Sequence, residues 1–178
     1  MQISIVQMCS SSLPEKNIAE VETYFAIAAE QSSDLIVLPE NFLAMGASFK
    51  ALCNIQWEHH IENIGRLSAA YKLPCIAGTI PIEDAECAPK RLACSMYFDA
   101  YGENTCTYNK IHLFDVDVGD EKGVYRESNY YSPGDSSVLV QQGDAQIGMT
   151  VCFDLRFPAL FQHYKKLGAN VIVVPSAF

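Results

Sequence analysis

No two cysteines in this 178-residue chain are spaced C-x-x-C, although cysteine is plentiful: Cys9, Cys53, Cys75, Cys87, Cys94, Cys106 and Cys152 form an odd, scattered set of seven. That spacing argues against a zinc site, and the apolar settings of most of them suit free thiols in a reducing, cytoplasmic compartment. Basic charge is also scarce. Lys and Arg number 12 against 21 Asp and Glu, for a net charge of −9, and the Lys165-Lys166 pair stands isolated. Such a surface repels phosphate backbones and anionic headgroups, so neither nucleic acid nor a membrane surface is an expected partner. No uncharged apolar run reaches the roughly 20 residues of a membrane span. Met1 to Met8 has neither the basic flank nor the extended apolar core of a signal peptide. Internal repeats and low-complexity tracts are missing as well.

With 49% hydrophobic and 19% charged residues, the chain has the composition of an ordinary globular protein and reads as a single domain over residues 1–178. Gln2 to Met8 reads as a strand. A helix follows with Ile18, Val21, Phe25, Ala28 and Ala29 on one face, and then Asp34 to Leu38, a continuous apolar run suited to a strand covered on both sides. A second helix spans Trp57 to Tyr71, with Ile61, Ile64, Leu67 and Tyr71 on its buried stripe, and Pro74 ends it. Cys75 to Ile80, Leu92 to Asp99 and Asn104 to Lys110 read as strands, the last two joined by a hairpin turn at Tyr101-Gly-Glu. Asp115 to Pro133 shows no sustained period and reads as a long loop, a length associated with binding or lid duties. Strands at Val138 to Val140, Gln146 to Val151 and Asn170 to Val174 and a helix at Phe157 to Leu167 complete an α/β pattern.

Three of these strands end in complementary chemistry. Asp34-Leu-Ile-Val-Leu-Pro-Glu40 ends in a carboxylate, Thr105-Cys-Thr-Tyr-Asn-Lys110 in an amine, and Gln146-Ile-Gly-Met-Thr-Val151 runs into Cys152-Phe-Asp-Leu-Arg-Phe-Pro, which reads as a helix start. A thiol at such a junction meets the positive end of the helix, which is expected to favour thiolate. Amide hydrolysis needs a nucleophile, a base that later serves as acid, and positive charge or N–H groups for the oxyanion. Cys152, Glu40, and Lys110 with the Phe153 N–H supply those functions. Each residue taken alone has a plainer reading: a buried cysteine, a carboxylate near a helix start, a solvated strand-end lysine. Their ordered occurrence favours catalysis.

The segments Leu38-Pro-Glu40-Asn-Phe, Tyr108-Asn-Lys110-Ile-His-Leu-Phe-Asp and Val151-Cys152-Phe-Asp-Leu-Arg156-Phe-Pro resemble the carbon–nitrogen hydrolase, or nitrilase-like, superfamily with its Glu-Lys-Cys set. Lys110-Ile-His-Leu-Phe-Asp-Val-Asp, Arg126-Glu127-Ser and Ser132-Pro-Gly134 look most like its Nit branch, which includes ω-amidase and deaminated glutathione amidase. The resemblance implies an α-β-β-α sandwich of the nitrilase type, cofactor-free cytosolic amidase activity through a cysteine thioester, and a further active-site carboxylate at Glu127. Family members are longer. The chain stops at Pro175-Ser-Ala-Phe178, just after a buried strand, so the sandwich is expected to be incomplete on its C-terminal side.

The substrate expected is a small carboxylate-bearing amide, with ammonia as product. Nitrile or N-carbamoyl hydrolysis on the same residues, or an inactive fragment serving as an interaction subunit, are the alternatives. Arg156 is a candidate for binding a substrate carboxylate, or pairs with a surface acid such as Asp154. His112 lines the pocket or packs in the core. His59 and His60 point about 100° apart and read as surface or satisfied side chains rather than metal ligands. No metal is expected. The helix from Phe157 to Leu167 carries Phe157, Leu160, Phe161, Tyr164 and Leu167, more apolar area than one buried face needs, so a homodimer or higher homo-oligomer is expected.

Overall fold

The computed structural model describes residues 1–117, 119 and 123–177. Its elements run β1 (Ile3–Ile5), α1 (Pro14–Glu30), β2 (Leu35–Val37), α2 (Phe49–Leu52), α3 (Trp57–Tyr71), β3 (Cys75–Glu83), β4 (Arg91–Phe98), β5 (Asn104–Asn109), β6 (Asp115–Asp117) and β7 (Val124–Arg126). A 3-10 turn at Glu127–Asn129 leads into β8 (Tyr131–Ser132), β9 (Val138–Gln142) and β10 (Ala145–Met149). A second 3-10 turn at Cys152–Arg156 precedes α4 (Pro158–Lys166) and β11 (Val171–Val173).

Alternation along the strands explains the layers. Ile36 and Leu38 of the β2 segment, with Cys75 and Ala77 of β3, face α1 and α3 and pack with Val21, Phe25, Ile64 and Leu67. Their neighbours Leu35, Val37 and Ile76 point the other way and meet Val140, Ile147, Met149 and Val173 of a second sheet. A period of two thus puts one side of the first sheet under helices and the other against a sheet. The first sheet has the order β1-β2-β3-β4-β5 with β8 beside β4, and the second β11-β10-β9. On the outer side of the second sheet the Tyr164 ring of α4 lies so close to Gly148 that an added Cβ would come within 2.9 Å of it. The result is the expected α-β-β-α arrangement. The parallel pairs β1·β2, β2·β3 and β10·β11 bring strand carboxyl ends to one rim.

The segment expected to be a long loop is built instead from short elements. β6 pairs antiparallel with β7, and β8 adds to β4, while residues 118 and 120–122 lie outside the described residues. Strands of two or three residues leave no period to detect, and what holds them is cross-contact: Phe114 packs against Tyr125 at 5.4 Å and the Ser128 N–H donates to Asp115. His60, read as a surface or satisfied side chain, is 4% exposed, and its Nδ1 has no partner. Nothing in the His59-His60 dipeptide signals that α3 turns this histidine inward.

Candidate active site

Each candidate side chain stands where the backbone leaves a strand. After β2, the Leu38 N–H still donates to Ile76, Pro39 ends the ladder, and Asn41 takes a left-handed turn with φ 53°. Asparagine is among the few residues that adopt this conformation readily. Thr79 pins the turn by accepting the Asn41 N–H at 2.9 Å. Gly78 lets β3 lie against the same corner, since a Cβ there would fall 1.7 Å from the Pro39 carbonyl oxygen. Glu40 is therefore held with 7% of its side chain exposed.

Lys110 follows β5. Its N–H donates to Ala93 and its carbonyl accepts from Gly134 at 2.9 Å. Its ammonium, 1% exposed, lies 2.8 Å from Glu40 Oε1 and 2.9 Å from Glu127 Oε2. Glu127 is set by the Phe114 N–H, which donates to its Oε2 at 2.6 Å. Burial alone would depress the lysine, but the carboxylates of Glu40 and Glu127 outweigh it and hold the ammonium above the ordinary lysine range.

Cys152 begins a 3-10 turn rather than an α-helix, and its own φ is 44°. A left-handed non-glycine residue costs about 1–2 kcal/mol and persists only where surrounding bonds fix it. Here the Cys152 N–H donates to the Pro175 carbonyl at 2.9 Å, and the Val151 N–H donates to Asp154 Oδ2 at 2.8 Å. The expectation that a helix end favours thiolate is overturned. Burial, and next the Glu40 carboxylate, push the Cys152 thiol up to about 11, against the smaller opposing effect of Lys110. At neutral pH the resting group is a thiol beside a carboxylate.

The post-β11 segment closes one side. The Ala177 N–H donates to Glu40 Oε2 at 3.0 Å, a contact that no sequence signal announced. A groove of about 940 Å³ reaches Glu40, Ser176 and Ala177 and continues between Ile5 of β1 and Val173 of β11, but Lys110 and Cys152 are not in its wall. Phe153 packs edge-on against Phe114 at 5.1 Å and Phe157 at 5.5 Å. His112 stacks on Phe157 with centroids 3.6 Å apart, and its Nδ1 lies 2.7 Å from Asp154. Arg156 is exposed. It has no surface Asp154 to pair with, because that carboxylate is completely buried. Two further tyrosines escaped the sequence reading: Tyr108 donates to Asp154 at 2.7 Å, and Tyr131 is raised above the ordinary tyrosine range by burial first and then by Glu127.

Comparison with known proteins places the chain in a family. Deaminated glutathione amidase of Yersinia enterocolitica is 34% identical over 99% of the chain and 62% of its own length, and human omega-amidase NIT2 is 31% identical over 99% and 63%. The chain thus spans about three fifths of the length of these relatives. The NitFhit protein of C. elegans superposes with a TM-score of 0.89 at 26% identity, covering 99% of the chain and 43% of that protein. A variant of the nitrilase-superfamily amidase from Nesterenkonia AN1 shares the fold with a TM-score of 0.86 at 20% identity, covering 100% and 65%. The carbon-nitrogen hydrolase profile matches residues 2–177, a span that holds Glu40, Lys110, Glu127 and Cys152 together, and the chain belongs to that family.

Proposed function

We propose that this site hydrolyses the amide bond of a small, carboxylate-bearing amide, releasing ammonia through a thioester on Cys152. The observation that carries the reading is the buried Lys110 ammonium held between Glu40 and Glu127, with Glu40 also beside the Cys152 thiol. Glu40 takes the thiol proton as Sγ attacks the carbonyl carbon, and Lys110 with the Phe153 N–H receives the developing oxyanion. The C–N bond breaks as the proton passes to nitrogen, so ammonia leaves. Water then attacks the thioester, Glu40 takes its proton, and the proton returns to sulfur as the acid departs. Glu127 keeps the lysine charged and aimed. The raised thiol suits this scheme, because attack then depends on the neighbouring carboxylate rather than on a standing thiolate.

Support for the substrate class comes from the relatives, named for amidase activity on deaminated glutathione and on ω-amides. Arg156 is the candidate for the substrate carboxylate. A cytoplasmic homo-oligomer that uses the outer face of α4 is part of the same reading. The test is ammonia release from a short ω-amide of a dicarboxylic acid. Cys152→Ala should abolish it and Cys152→Ser should leave little. An acyl mass trapped on a cysteine other than Cys152 overturns the assignment.

A further inference from the structure

The proton transfers above leave one completely buried carboxylate without a role. Asp154 lies two residues beyond Cys152 and has 0% exposure. Its Oδ2 accepts from the Tyr108 hydroxyl at 2.7 Å and from the Val151 N–H at 2.8 Å. Its Oδ1 accepts from the His112 N–H at 3.0 Å and lies 2.7 Å from His112 Nδ1. Tyr108 and His112 bracket Lys110 two residues to either side, and Val151 immediately precedes Cys152. A single side chain therefore joins the backbone around the lysine to the backbone around the cysteine.

We propose that Asp154 is a positioning residue for the amide-cleaving site, its carboxylate locking the Cys152 turn onto the strand end that carries Lys110. The proposal rests on the reading of Cys152 as nucleophile and Lys110 as oxyanion partner. The turn needs such a lock for two reasons. Its first residue is left-handed, a conformation the backbone leaves unless its surroundings fix it. The turn's own bonds, Asp154 N–H to Val151 and Phe157 N–H to Asp154, are internal and cannot set its distance from β5. Asp154 supplies the bonds to the segment around Lys110, and His112 braces the turn at its middle and just past its end, with Nδ1 at Asp154 and its ring face on Phe157. A buried carboxylate is tolerated only when its oxygens are filled, and donors from both segments fill these.

Asparagine tests the lock at nearly constant volume. In either amide orientation, Asp154→Asn sets its NH2 against one backbone N–H, that of Val151 or that of His112, so one end must open. The first readout is the pH profile of alkylation at Cys152 by iodoacetamide, followed by mass at each cysteine, with exposed Cys9 and Cys53 as internal references. The second is the split of kcat from KM for ammonia release. In the unaltered chain Cys152, enclosed with Glu40 and Lys110, should titrate near 11. Asp154→Asn should move that midpoint down towards the ordinary thiol value of 9.0, lower kcat at least tenfold and leave KM within about threefold. Tyr108→Phe, which keeps the carboxylate and both backbone donors, should give the same shifts at smaller size. A folded Asp154→Asn with an unchanged Cys152 profile and unchanged kcat overturns the proposal, as does a loss confined to KM. Should Asp154→Asn fail to fold, Tyr108→Phe decides alone, and an unchanged profile and kcat in that variant overturn it. The alkylation profile needs no turnover. A failure of the catalytic reading, shown by ammonia release that survives Cys152→Ala, is therefore distinguishable from a failure of the lock.

Discussion

At Cys152 two effects oppose each other, and their balance sets how stability responds to alkali. Burial and the Glu40 carboxylate raise the thiol from the ordinary 9.0 to about 11, so between these pH values the folded chain keeps a proton that the unfolded chain releases. The stability linked to this neutral thiol is complete below about pH 9 and is lost as the pH climbs towards 11. Because the residue is partly solvated, the loss is discounted to about 1–2 kcal/mol. Lys110, held above its ordinary 10.5, acts in the same direction at higher pH. Cys152→Ser removes only the thiol contribution. In urea unfolding, the fall in stability from pH 8.5 to 10.5 should be smaller in that variant by about 1 kcal/mol, and parallel curves would refute the assignment. The same residue shows where the sequence misleads. Glu40, Lys110 and Cys152 stood out because each follows a segment that reads as a strand, whereas Asp154 read as a surface acid because a regular helix was expected after the cysteine. The left-handed φ of Cys152 folds the chain back and sends that carboxylate inward.

Among the elements, the strands with the longest alternating or apolar runs were legible, and α3 from Trp57 to Tyr71 was read to its ends. The short pieces β6, β7 and β8 were not, since hydrogen bonds and ring contacts between distant residues, rather than any period, hold them together. Glycine marks where elements approach most closely. Gly78 of β3 touches the Pro39 corner, and an added Cβ would lie 1.7 Å from that carbonyl oxygen, far inside van der Waals contact with an atom of the main chain. Gly78→Ala should destabilise the fold by about 2–3 kcal/mol and also lower ammonia release in the molecules that remain folded, because the displaced corner carries Glu40. Unfolding within about 0.5 kcal/mol of the unaltered chain would show that β3 yields without disturbing the corner.

Over the whole molecule, the layer order was legible from strand periodicity, but the packing of α4 was only half anticipated. Leu160 and Tyr164 are buried, and Phe157 stacks on His112, so much of the apolar surface assigned to an interface is used within the chain. Phe161 is partly covered and Leu167 remains 48% exposed. If α4 meets a second copy, light scattering should give an oligomer, and Phe161→Asp with Leu167→Asp should convert it to a monomer of unchanged secondary structure. A monomer before substitution excludes this surface.

Glu40 bonds to Lys110, 70 positions onward, and to the Ala177 N–H, 137 positions onward. Vectorial synthesis therefore delivers the carboxylate long before the groups that orient it. At 5–20 residues per second, about 7–27 s separate residues 40 and 177 on the ribosome. Until residue 177 has been made, a growing chain carries the Glu40 carboxylate without the N–H that orients its Oε2.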